Sequence, residues 1–144
     1  MLRTKDILDE KDPRVRAKNT DVDFPLNDEY KDIIPEMLKH LRYSQIEKLS
    51  KKYDLRPGMG LAAPQLGINK NFFVVCYEVR DGVFDDYILI NPKVISYSEE
   101  MIYAGEGEGC LSVNREVEGI VPRHARITVE AYDLDGNKRK YRVR

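Results

Sequence analysis

Two stretches of the chain hold residue types that could do chemistry. The first reads GMGLAAPQLG at 58–67 and the second reads EGEGCLSVNRE at 106–116. In the second, Cys110 follows alternating glycines at 105, 107 and 109. Glycine opens backbone conformations closed to other residues, and amides around such a bend can point at an anion or a polarised oxygen. From these residues alone, Cys110 could fill space, attack a carbonyl or hold a metal. In the first stretch, Gly58 and Gly60 permit close backbone approach, and Gln65 offers a neutral amide that can donate a hydrogen bond. The spacing is not that of a dinucleotide fingerprint, and the Lys-Ser/Thr pair of a phosphate loop is missing. A buried turn with a satisfied glutamine accounts for it equally well.

The remaining reactive side chains read as structural. Cys76 lies inside the apolar run FFVVCY, where a small buried hydrophobe is expected. His40, between Lys39 and Arg42, reads as a surface residue. His124, in PRHARI, reads as a solvated or locally bonded imidazole. A Cys110 nucleophile with His124 as base would need the two side chains within hydrogen-bond reach, and no third residue is marked to orient the histidine.

The elements that must position these residues follow from periodicity. Asn27 can cap a helix whose first turn holds Asp28 and Glu29. Ile33, Ile34, Met37, Leu38 and Leu41 recur at helical spacing, with Pro35 either kinking that helix or starting a second one. Ser44 and Glu47 suggest a capping box for a short helix through about Tyr53. FFVVCY (72–77) and DYILINP (86–92) read as strands, with Asn91-Pro92 closing the second. KVISYSEEMIY is a further strand candidate. Ile127, Val129 and Ala131 alternate, Asp135-Gly136 turns the chain, and Tyr141 and Val143 resume the alternation, a hairpin. Helices first and antiparallel strands after make an α+β fold.

Composition bounds the rest. The 144 residues fit one domain, 1–144, with a core of its own. Hydrophobic residues at 42% argue against disorder, and a net charge of −1 gives no reason to expect DNA or an anionic membrane as partner. No apolar run approaches a membrane span, and the N-terminus lacks a secretory pattern. Two cysteines are too few for a disulfide framework, so a reducing cytoplasm is the expected compartment.

Taken together, GMGLAAPQ at 58–65 and EGCLS at 108–112 strongly resemble the two leading motifs of peptide deformylases. These enzymes remove the formyl group from the N-terminal methionine of new bacterial proteins. INP at 90–92 and GIVPRHARI with DLDGN also resemble the family, and the lead-in YDLRPGMGLAAPQ is most similar to its Gram-positive type. The resemblance implies that Cys110 is a thiolate ligand of a divalent metal, Fe²⁺ in cells, with Zn²⁺, Ni²⁺ or Co²⁺ able to replace it. Two histidines and a water would complete that site. The metal would supply hydroxide near neutral pH to attack the formyl carbon. Gln65 and the backbone N–H of Leu111 would be the oxyanion donors. Gly58, Gly60 and Leu61 would line the groove for the substrate backbone, and an apolar pocket would take the methionine side chain. The implied partners are N-formylmethionyl nascent peptides, met at the ribosome, and the complete domain is expected to be a monomer. A pairing of Glu108 with Arg123 to hold the cysteine loop is a separate expectation from the residues.

One departure stands against this. The family's H-E-x-x-H helix, which carries both histidine ligands and a proton-shuttling glutamate, has no counterpart here. His40 and His124 are the only histidines and lie far from that spacing. The chain is therefore expected to be a domain lacking its metal-binding helix, a fragment in preference to a natural non-catalytic relative. By itself it is expected to be metal-poor and inactive, with an apolar sheet face uncovered. A non-catalytic peptide-binding module is the alternative function.

Overall fold

The computed structural model describes residues 1–113 and 115–144. Helix α1 (Asp28–Ser44) begins where Asn27 Oδ1 accepts the Glu29 N–H at 2.8 Å. It runs through Pro35 without a break. Proline inside a helix costs about 3 kcal/mol. Ile34, Met37, Leu38 and Leu41 are all buried on one stripe, and each contributes roughly 1.5–3 kcal/mol, which outweighs that cost. His40 lies on the same stripe, three residues after Met37 and four before Ser44. It is 1% exposed, with Nδ1 at 2.9 Å from the Leu2 carbonyl, so the surface position expected for it is corrected.

Helix α2 (Glu47–Tyr53) follows, but Ser44 does not cap it. Ser44 is the buried last residue of α1, and its hydroxyl is engaged with the Leu41 carbonyl and with Gly58. The N-cap is Ile46, which offers no side-chain bond.

Among the described residues seven strands follow: β1 (Gly60–Ala62), β2 (Phe72–Arg80), β3 (Val83–Tyr97), β4 (Met101–Ile102), β5 (Arg123–His124), β6 (Ile127–Tyr132) and β7 (Lys138–Val143). Strands β1-β2-β3-β6-β7 form an antiparallel sheet in that order, and β4 pairs with β5. The α+β architecture is the expected one. Asn91-Pro92 does not end a strand, however. β3 passes through it at a register shift between Ile90 and Lys93, with Asn91 in the left-handed region at φ 51°. A bulge absorbs the missing proline N–H. The Asn91 side chain also substitutes for a strand neighbour, accepting the Val22 N–H at 2.7 Å and donating to its carbonyl at 2.9 Å.

Helix α1 covers one face of the sheet, where Phe72, Val74, Cys76 and Ile90 complete the main core. A second cluster, Leu89, Val129 and Ala131, lies with Phe73, Tyr87, Ile127 and Tyr141. An open apolar depression of about 520 Å³ is lined by Phe73, Leu89, Val129, Tyr141 and Val143 among others.

Candidate active site

The first motif spans the edge of the sheet. Gly60 and Leu61 belong to the edge strand β1, paired with Val75 and Val74 of β2. Leu61 is 2% exposed, so its side chain belongs to the core and only its backbone could meet a ligand. A β-carbon on Gly60 would meet nothing nearer than the Val74 carbonyl at 3.9 Å, an ordinary contact. On Gly58 it would stand 3.0 Å from both methyls of Leu111, so a larger residue here requires the Leu111 side chain to shift. Gly58 is itself clamped by the end of α1. Its N–H donates to Ser44 Oγ at 3.1 Å, and Gln45 Nε2 donates to its carbonyl at 2.9 Å and to that of Cys76 at 2.6 Å.

After β1 the chain makes a short 3₁₀ turn, Ala63–Leu66, closed by Gly67 at φ 80°. Gln65 sits in this turn, and its Oε1 accepts the Ala62 N–H at 2.9 Å. Because a backbone N–H can only donate, the amide must present its nitrogen on the other side. Nε2 donates to Ser112 Oγ at 3.1 Å and lies 3.7 Å from Cys110 Sγ. The two motifs therefore meet at Gln65.

The second motif is a tight turn in which the Val113 N–H donates to the Cys110 carbonyl at 3.0 Å. The Cys110 thiol is exposed, whereas Cys76 is fully buried, and burial together with nearby Asp86 pushes its thiol up to about 11. Arg56 donates through Nη1 to the Val113 carbonyl at 3.1 Å and through Nη2 to the Cys110 carbonyl. The N-terminal segment straps both motifs together. The Leu8 N–H donates to the Gln65 carbonyl at 2.7 Å, and the Glu10 N–H to the Ser112 carbonyl at 2.8 Å. Arg115 donates from Nε and Nη2 to Glu10 Oε1 at 2.9 and 2.8 Å. Ahead of the turn, Arg123 of β5 grips Glu108 with two bonds, 2.6 and 3.2 Å. The guanidinium holds the Glu108 carboxyl below its ordinary value, chiefly through these bonds.

The histidines are elsewhere. His40 serves the core, and the Nδ1 of His124 meets the Ser98 carbonyl at 2.8 Å while its ring lies against Tyr97. Among the described residues no hydrogen bond joins His124 to Cys110. Nor do three His, Cys, Asp or Glu side chains gather anywhere among them in a way that could hold a metal ion. A thiol flanked by a neutral amide and a hydroxyl does not make the three-ligand set of a catalytic zinc-type centre. The described donors therefore do not by themselves fit a bound metal.

Sequence reasoning missed two residues of this site. Ser112, 5% exposed, is the partner that fixes Gln65, and its place at the end of EGCLS was the available signal. Arg56 bridges two carbonyls of the turn, but an arginine before Pro-Gly looks like any exposed loop residue.

Comparison with known proteins identifies the family. The family model for polypeptide deformylase matches residues 4–144. A peptide deformylase of Macrococcus caseolyticus is 48% identical over 145 residues, covering 100% of this chain and 79% of the relative. One from Oceanobacillus iheyensis is 44% identical over 144 residues, with the same shares. Among solved structures, peptide deformylase from Thermotoga maritima superposes with a TM-score of 0.68 at 29% identity, over 95% of this chain and 79% of that one. Deformylase 1B of Arabidopsis thaliana gives 0.74 at 26% identity, over 96% and 67%. The chain belongs to the polypeptide deformylase family, enzymes that act on formylated peptides.

Proposed function

We propose that this chain builds the peptide-docking and oxyanion-binding part of a deformylase acting on N-formylmethionyl peptides. One observation carries the reading: Gln65 Nε2 reaches both Cys110 and Ser112, which brings the amide of one motif to the thiol of the other. In this reading an extended formyl-Met peptide lies along the edge strand β1, with the Gly58–Leu61 backbone as its guide. The formyl oxygen sits between Gln65 Nε2 and the Leu111 N–H, where charge develops as the carbonyl is attacked. Glu108 and Arg123 brace the approach to Cys110.

The divalent metal belongs to the same proposal. Cys110 would be the one ligand these residues offer it, and a metal held there with further ligands would supply the activated water of such sites. Residues 1–144 alone are metal-poor and inactive, because one thiolate does not close a three-ligand site. Nascent peptides at the ribosome are the substrates, in the cytoplasm, with the single domain acting as a monomer. Joined to a family H-E-x-x-H helix, residues 1–144 release formate from a formyl-Met peptide in the presence of Fe²⁺, and Cys110→Ala abolishes this. Full activity of that variant overturns the ligand role.

The position of β1 at the edge of the sheet favours a second reading, capture of a peptide without chemistry. Saturable binding of a formyl-Met peptide by a chain that never turns it over, even when joined to an H-E-x-x-H helix, would establish it.

A further inference from the structure

Arg56 lies outside both motifs, yet its guanidinium engages the second from the root of the first. Its backbone is fixed on both sides. Leu55 before it is 6% exposed and donates its N–H to the Ser50 carbonyl at 2.8 Å. Gly58, two residues later, is clamped by Ser44 and Gln45. From this anchored base the fork reaches the Val113 carbonyl at 3.1 Å and the Cys110 carbonyl. These carbonyls bracket Leu111 and Ser112.

The Cys110 carbonyl and the Leu111 N–H belong to one trans peptide unit. Such a unit is planar and rigid, so its C=O and N–H point in opposite directions. A group that fixes the carbonyl therefore fixes the N–H. The Cys110 carbonyl is held by Arg56 and by the Val113 N–H, which leaves the Leu111 N–H facing the other way. A hydrogen bond from a cation also polarises the peptide and makes its N–H a stronger donor. Lysine carries the charge but lacks the planar fork that spans two carbonyls.

We propose that Arg56 is a positioning residue that aims and strengthens the Leu111 N–H as an oxyanion donor. This rests on the reading of Leu111 given above. It assigns a part in the chemistry to a residue that acts through the backbone of the cysteine turn.

The 144-residue chain permits a direct test. Cys76 precedes Tyr77 and Cys110 precedes Leu111, so ¹³C-carbonyl cysteine with ¹⁵N-leucine doubly labels only the Cys110–Leu111 peptide. In Arg56→Met the Cys110 carbonyl and Leu111 amide-proton resonances move upfield, and the Val113 amide exchanges several-fold faster. Arg56→Lys recovers part of the carbonyl shift but not the Val113 protection. Coincidence of the labelled resonances in wild type and Arg56→Met overturns the proposal. A formyl-Met peptide added to the same samples shifts the Leu111 amide in wild type and not in Arg56→Met, whereas equal shifts in both overturn the positioning role. A peptide that moves nothing in wild type sinks the donor reading of Leu111, while the carbonyl comparison still decides whether Arg56 holds the peptide.

Discussion

Gln65 donates to Ser112 Oγ at 3.1 Å across 47 residues of sequence, and this bond joins the two halves of the candidate site. Ser112 is buried, so its hydroxyl has little access to water as a substitute partner. Gln65→Leu should cost about 1–2 kcal/mol, the usual penalty for stranding a buried polar group. Urea unfolding checks this. Ser112→Ala combined with Gln65→Leu should recover part of the loss, and strict additivity of the two would mean that the bond contributes nothing.

Gly58 and Leu111 are in contact, which invites a steric test. Gly58→Ala places a methyl 3.0 Å from the Leu111 methyls, and overpacking of this kind costs about 1–3 kcal/mol. Leu111→Ala in the same chain opens the space and should relieve most of that penalty. A double-mutant cycle by thermal unfolding gives the coupling.

The two thiols should separate cleanly. Cys76 is buried and its thiol is pushed up to about 11, while Cys110 is exposed. At pH 8 a thiol reagent should therefore modify one cysteine of the native chain and two of the unfolded chain. Rapid modification of both in the native chain would contradict the core described around α1.

The Glu108–Arg123 pair sets a pH dependence of definite sign. The folded Glu108 carboxyl is held below its ordinary value by the Arg123 bonds. Its contribution to the fold is thus present above the ordinary carboxylate range near about 4.3 and is lost as pH falls through the lower folded value. A carbon-detected titration of Glu108 should show a depressed midpoint that returns toward the ordinary value in Arg123→Ala. An unchanged midpoint in that variant would remove the pair as the cause.

The open depression on the sheet should bind hydrophobic dyes. Phe73, Leu89, Val129 and Tyr141 line its floor, and Val143 at the rim is 44% exposed. Val143→Lys should reduce dye fluorescence by adding charge at the rim without disturbing the core. Equal fluorescence in both chains would place the dye elsewhere.

Much of this was legible in the residues, and the failures share a cause. The hairpin of β6 and β7 follows from two-residue alternation around Asp135-Gly136, and α1 from its apolar stripe and its Asn27 cap. His40, Ser44 and Asn91 depart from their expected positions for a shared reason. Each has a polar side chain that looks exposed or terminal in sequence, and each takes a partner outside its own element: Leu2, Gly58 and Val22 respectively. Local patterns cannot show such partners. The site divides in the same way. Cys110 and Gln65 stand out by motif, whereas Arg56 acts on backbone carbonyls and leaves no pattern of side-chain types to find.

The strap of Glu10 on Arg115 closes a loop 105 residues long, whereas Gln65 reaches Cys110 over 45. Loop-closure entropy grows by roughly 0.6 kcal/mol with each doubling, so the strap is the costlier joint to form. During synthesis Glu10 has no partner until Arg115, 105 residues later, has emerged. The N-terminal end is thus a latch that closes a longer loop than the seam it lies over.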